Sequence, residues 1–337
     1  APTAVTLPAN ANSLSARENH TCAVAAGKLY CWGASRRGQV GDGLDDTVHN
    51  KPVAVANVPK VVAVATGSLH TCLLGADQAV YCFGDQAYAQ TGTGTVSSTD
   101  VAKPAKVPNL SGVVGICAGV NHSCAVKTNG TVWCWGANNH RQTGQSSGDV
   151  INKPTKVNSI AAATKLTCGY GHTCALMTDK TVKCWGNNKV GQAGNYAATS
   201  SHKAVTVAAG PHTGTKFPLL TNIVQIEAAR MSTCAIDSGG EIWCWGDNTW
   251  GQLGVGKTGH SVCQPDCMGK TCGYDGCGGT CGVCGSDSDC RDNQCLKCVA
   301  DCKGRNCGSD GCGGTCGSSK LFGGCPNGWI CDYETGQ

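Results

Sequence analysis

His122-Ser123-Cys124-Ala125-Val126-Lys127-Thr128-Asn129-Gly130-Thr131-Val132-Trp133-Cys134-Trp135-Gly136 reads as two strands folded about a turn. A three-residue loop centred on Asn129 sets Lys127 opposite Thr131 and, counting outward, Cys124 opposite Cys134. The phrase recurs at His20-Thr21-Cys22 to Cys31-Trp32-Gly33, His70-Thr71-Cys72 to Cys82-Phe83-Gly84, His172-Thr173-Cys174 to Cys184-Trp185-Gly186, and Ser232-Thr233-Cys234 to Cys244-Trp245-Gly246. A spacing of 50 to 52 residues, stretched to 60 in the last step, is the mark of a repeat array and not of one continuous core.

Within a unit four strands are expected. They read most clearly in the second copy as Pro52–Val55, Val61–Val64, Thr71–Leu74 and Ala79–Cys82, punctuated by Gly, Asn and Asp. Four antiparallel strands per repeat make a propeller blade. The 48 glycines and the 14% of charged residues favour short strands and tight turns over helices. The expected fold is therefore all-β, a β-propeller of about five four-stranded blades over residues 1–260, followed by a disulfide-rich, loop-rich module over 261–337.

Twenty-seven cysteines indicate an oxidising compartment, so the chain reads as secreted or cell-surface. The hairpin count pairs Cys72 with Cys82, Cys124 with Cys134, Cys174 with Cys184, and Cys234 with Cys244; Cys22 and Cys31, one residue closer, pair if their loop is of even length. Each bridge closes a short loop and contributes about 2–3 kcal/mol through the unfolded chain. Cys117 and Cys168 fall on corresponding strands of successive repeats, one register step apart, and form a candidate inter-blade pair. The start, Ala1-Pro2-Thr3, lacks signal-peptide regions and reads as a mature chain, and no apolar run approaches membrane-spanning length. The formal charge of +4 forms no basic face of the kind nucleic-acid binding requires.

After each phrase comes a Gly-rich tail: Gly38-Gln39-Val40-Gly41, Gly191-Gln192-Ala193-Gly194 and Gly251-Gln252-Leu253-Gly254, degraded to Ala89-Gln90-Thr91-Gly92 and Arg141-Gln142-Thr143-Gly144. Phrase and tail together resemble the repeat of the regulator-of-chromosome-condensation family, over about three quarters of the chain. That resemblance implies a β-propeller, although the family usually has seven blades and this chain carries five copies of the phrase. Some members display tryptophans or other aromatics for light sensing or enzyme inhibition. No matching tryptophan triad or inhibitory loop stands here. Two closures fit the count. Ala4-Val5-Thr6-Leu7 could complete the last blade beside the strands of residues 222–246, or the array could be an open arc whose edges recruit another copy.

From Cys263 the pattern Cys-x3-Cys-x4-Cys-x4-Cys-x3-Cys runs to Cys281 and recurs from Cys298 to Cys316, both copies holding Asp-Gly-Cys-Gly-Gly-Thr-Cys-Gly. This segment resembles the Cys-Gly-rich tandem modules of extracellular surface proteins. Its few aliphatic residues leave crosslinks as the means of stabilisation, and its 15 cysteines leave one over.

His20, His70, His122 and His172 each lie two residues before a cysteine, but they belong to the repeated turn and their thiol neighbours are expected to be oxidised, so packing outweighs metal binding. Cys281-x-x-Cys284 and Cys295-x-x-Cys298 stand among too many cysteines for a redox pair, and Asp287, Asp289, Asp292 and Asp301 follow no calcium-loop pattern. Trp133, Trp135, Trp243 and Trp245 suit blade packing, while Trp250 on its loop is the expected partner contact. Asn19, Asn109, Asn121 and Asn129 stand in glycosylation sequons. No catalytic, metal or cofactor motif can be read. The reading is a non-enzymatic extracellular structural and interaction protein, binding a protein partner or itself, with a secreted-enzyme or glycan binder as the alternative and a metal or thiol-redox protein disfavoured.

Overall fold

The computed structural model describes residues 1–195, 199–209, 218–256, 258, 288–291 and 294–297. The chain divides into two compact units, Ala1–Val262 and Cys263–Gln337. Among the described residues there is no helix.

The first unit is a succession of antiparallel sheets, each with its strands in chain order. The first blade holds β1 (Ala11–Arg17), β2 (His20–Ala25), β3 (Lys28–Ser35) and β4 (Thr47–Ala54). The second holds β5 (Val61–Thr66), β6 (His70–Gly75), β7 (Val80–Gly84) and β8 (Val101–Lys106). The third holds β9 (Val113–Ala118), β10 (His122–Lys127), β11 (Val132–Ala137) and β12 (Val150–Lys156). The fourth holds β13 (Ala163–Cys168), β14 (His172–Met177), β15 (Val182–Gly186) and β16 (Ser201–Thr206). The fifth shows three strands, β17 (Ile223–Ala228), β18 (Ser232–Asp237) and β19 (Ile242–Gly246).

The central hairpin follows its turn. Asn129 Oδ1 accepts from the amide and the hydroxyl of Thr131, Gly130 takes a φ of 73°, and the register runs Val126 opposite Val132 and Cys124 opposite Cys134. Two expectations need correction. Pro52–Val55 is not the first strand of the second blade, because Val53 and Ala54 pair with Cys31 and Tyr30 and so belong to the outer edge of the first. Outer strands carry Lys51-Pro52, Lys103-Pro104 and Lys153-Pro154, and an edge position tolerates a residue with no amide hydrogen. Nor does Ala4–Leu7 close the fifth blade: it forms no strand, and the first strand that does form, β1, pairs with β2 in its own sheet.

The innermost strands stack in sequence, β1 on β5, β5 on β9, β9 on β13 and β13 on β17. Apolar cores fill the gaps between successive blades, each mixing valines of one sheet with the aromatic ring of the next: Phe83 beside Val24 and Leu29, Trp135 beside Val80, Trp185 beside Val132, Trp245 beside Val182. In the second unit, β20 (Ser288–Arg291) and β21 (Gln294–Lys297) form a hairpin with Cys290 opposite Cys295 in register. Cys281, Cys284 and Cys298, with Asp287, Asp292 and Asp301, lie outside the described residues.

Candidate functional site: the blade clasps and the turn face

Every tail is the same small machine. Its glutamine folds back so that Oε1 accepts the amide two residues earlier: Arg37, Tyr88, His140, Val190 and Trp250 each donate to Gln39, Gln90, Gln142, Gln192 and Gln252 at 2.8–3.0 Å. That bond turns the glutamine's own carbonyl toward the following blade. The Gln90 carbonyl accepts from Ser123 Oγ and Trp135 Nε1, both at 2.9 Å, and Gln142 accepts from Thr173 Oγ1 and Trp185 Nε1 at 3.0 and 2.9 Å. Gln39 accepts from Thr71 Oγ1, and Gln192 from Trp245 Nε1, each at 2.9 Å.

Histidine completes the clasp. His20, His70, His122 and His172 place Nε2 at 2.9 Å from the hydroxyls of Thr71, Ser123, Thr173 and Thr233 in the next blade. Thr71, Ser123 and Thr173 already donate to a glutamine carbonyl, so each must accept, which fixes the imidazoles of His20, His70 and His122 as Nε2–H with a bare Nδ1. Nδ1 of all four rings is buried without a partner among the described residues. Burial lowers His20 to about 4 and His70 and His172 to about 3, and pushes His122 well below the ordinary value.

This geometry decides the chemistry. His70 beside Ser123 has the separation of a base and its nucleophile, yet both are fully enclosed and the hydroxyl proton is committed to Gln90. The histidines are structural pins.

Along the inner strands a cavity of about 210 Å³ is lined by Ser15, Thr66, Thr167 and Glu227, among others. Arg17 spans it, donating from Nε to the Thr66 carbonyl at 3.3 Å and from its terminal nitrogen to the Cys168 carbonyl at 2.7 Å. Burial lowers the guanidinium, opposed by Glu18 and Glu227. With these donors given to carbonyls, Arg17 is a tie between the first blade and the fourth.

Among the described residues, six cysteine pairs lie at disulfide distance. Cys22–Cys31, Cys72–Cys82, Cys124–Cys134, Cys174–Cys184 and Cys234–Cys244 each span the central hairpin of a blade, with Cα atoms 4.1 Å apart. Cys117–Cys168 joins the third and fourth blades, with Cα atoms 5.6 Å apart. The sulfurs of Cys117, Cys124 and Cys168 lie within 4.8 Å of one another, a grouping that would suit a metal only if both of its bridges were reduced.

Trp135 and Trp245 are buried between blades. Trp133 and Trp243, two residues earlier on the same strand faces, are half-buried at the margins of the same cores, under Lys127 and bonded to Asp237 respectively. Trp250 is 88% exposed. Asn19, Asn109 and Asn129 are exposed and Asn121 half-buried, and the Asn129 side chain is engaged by its own Thr131.

Residues 1–285 match the family model for the RCC1-like domain. The chain belongs to the RCC1-like domain family. Among curated relatives, the human E3 ubiquitin-protein ligase HERC2 is 34% identical over 128 residues, covering 36% of this chain and 3% of that protein. The Xenopus laevis regulator of chromosome condensation is 32% identical over 111 residues, covering 33% of this chain and 26% of the relative. This chain thus matches only a small part of those proteins. Human WBSCR16 superposes with a TM-score of 0.65 at 18% identity, covering 79% of this chain and 69% of that one. Yeast RCC1 (Prp20) superposes with a TM-score of 0.61 at 20% identity, covering 72% and 57%. These likenesses show the RCC1-like propeller fold. The histidine clasp was readable only as a recurring phrase, since its acceptor lies about fifty residues away in the next repeat.

Proposed function

We propose that this RCC1-like propeller is a non-enzymatic protein-interaction scaffold of an oxidising, extracellular setting, and that it contacts its partners through the tips of its five tail turns. One observation carries this reading. The five turns share a single glutamine-fixed geometry, yet the residue held at the tip differs in each: Arg37, Tyr88, His140, Val190 and Trp250. A constant frame with changing tips is how a scaffold presents specificity. Exposed Tyr88 and Trp250 supply aromatic anchors, and exposed Arg36 and Lys189 add positive charge, which suits an acidic, partly apolar protein surface.

The extracellular setting rests on the cysteine pairs, which a reducing cytosol would open. Ubiquitin ligation and the other activities of the longer relatives are not carried over, because the matched part is the repeat domain alone.

Chemical crosslinking of the protein in its natural source, followed by peptide mapping, tests the contact face. Crosslinks should fall at residues 36–37, 88, 140–141, 189 and 249–250, and Tyr88→Ala combined with Trp250→Ala should abolish them. Contacts confined to other surfaces, or retained in the double variant, would refute the assignment. Alkylation of the twelve cysteines of residues 1–260 without prior reduction would overturn the extracellular part.

A further inference from the structure

The clasp repeats at the four junctions between successive blades, and its two halves are left over at the ends of the array. On the first blade, Thr21 and Trp32 occupy the positions of Thr71 and Phe83, Ser123 and Trp135, Thr173 and Trp185, and Thr233 and Trp245. Those partners are at most 7% exposed, whereas Thr21 and Trp32 are only half-buried and neither has a hydrogen-bonded glutamine carbonyl among the described residues. Leu14 is 68% exposed where Val64 and Ile226 are 8% and 6%. Beside this uncovered face lies a cleft of about 470 Å³ lined by Arg17, Asn19, Thr21, Trp32 and Gly33, among others.

The fifth blade carries the other half. Its tail, Gly251-Gln252-Leu253-Gly254, keeps the glutamine-to-Trp250 bond and a φ of 69° at Gly254. In three of the four earlier tails the matching glycine is a seat for the next blade's ring: a Cβ on Gly41 would come within 2.6 Å of Phe83, on Gly92 within 2.7 Å of Trp135, and on Gly194 within 3.0 Å of Trp245, while Gly144 packs against Val157. At Gly254 nothing among the described residues lies within 4 Å. Gln252 is exposed, while Gln39, Gln90, Gln142 and Gln192 are at most 3% exposed.

We propose that the first blade of one molecule docks on the fifth blade of a second copy of this chain, Trp32 seating over Gly254 and donating, with Thr21, to the Gln252 carbonyl. The occupant follows from complementarity: each end displays the half-clasp that the other end lacks, in the geometry the chain itself uses at its internal junctions. Ser232 stands where the other phrases have histidine, so this junction forms without the imidazole bond and is reversible. The contact joins unlike surfaces, so it repeats head to tail. It deepens the scaffold reading by naming one partner, and Tyr88→Ala separates the two, since it removes a turn tip and leaves both half-clasps intact.

Sedimentation and light scattering of the full oxidised chain over a concentration series test the proposal. The wild type should form concentration-dependent multimers that run as monomers on a non-reducing denaturing gel. Trp32→Ala removes the ring, and Gly254→Asn fills the seat while tolerating positive φ. Each alone should weaken association roughly 30-fold, the effect of losing a central aromatic contact. Mixed together they should pair and stop at dimers, because one intact end survives on each, and that pairing shows both variants remain folded. A wild type that stays monomeric, multimers unchanged in either variant, multimers held only by reducible bridges, or two folded variants that fail to pair would overturn it. A monomer whose Trp32 resists oxidation would overturn it in favour of a segment of the same chain.

Discussion

Acid should loosen this protein in a way that four buried imidazoles dictate. His70 and His172 are lowered to about 3 and His20 to about 4 by burial, with Nε2 bonded across a blade junction and Nδ1 bare. The ordinary value is about 6.5, so between that pH and the folded values the unfolded chain binds protons that the folded chain refuses. Stability is therefore complete above about pH 6.5 and falls by about 1.4 kcal/mol per pH unit for each histidine below it. Going from about pH 7.5 to about pH 5 costs about 2 kcal/mol per imidazole, or roughly 6 kcal/mol for these three together. That is comparable with the whole stability of an ordinary domain. Urea denaturation of the non-reduced chain at both pH values measures it. His172→Gln keeps an amide able to bond Thr233 but cannot titrate, so it should remove about a quarter of the pH dependence carried by four histidines. Equal stability at the two pH values, or a slope unchanged in His172→Gln, would refute the reasoning.

Three further outcomes are expected. Cys124 faces Cys134 on one side and Cys117 on the other, so in Cys134→Ser its thiolate should attack Cys117 Sγ and expel Cys168 as a thiolate; peptide mapping that finds Cys117–Cys168 intact and Cys124 free would contradict this. A Cβ at Gly119 would overlap the His122 ring, so Gly119→Ala should lower stability by about 2–3 kcal/mol, whereas Gly240→Ala, with open space and φ 86°, should cost about 1 kcal/mol; equal losses in denaturant titrations would count against the packing argument. Trp185→Phe keeps the ring but removes the bond to Gln142, leaving the carbonyl bonded to Thr173, and should cost about 1 kcal/mol by the same titration; a loss matching Trp185→Ala would show that the indole bond is not separable from packing.

Repeat period, strand content and hairpin register were legible in the sequence because they are local. A turn such as Thr128-Asn129-Gly130 sets the count that places Cys124 against Cys134, whatever the rest of the chain does. The phase of the blades was not legible. A periodic pattern has no beginning, and whether Pro52–Val55 opens one blade or closes the previous one depends on pairing with Tyr30 and Cys31 across a loop. The same holds for the clasp, whose histidine, hydroxyl, carbonyl and indole come from two repeats and meet only when blades stack. Trp32 and Trp135 occupy the same place in the repeated phrase, and only the tertiary structure leaves one half-buried and encloses the other, because burial belongs to the neighbour that covers a residue.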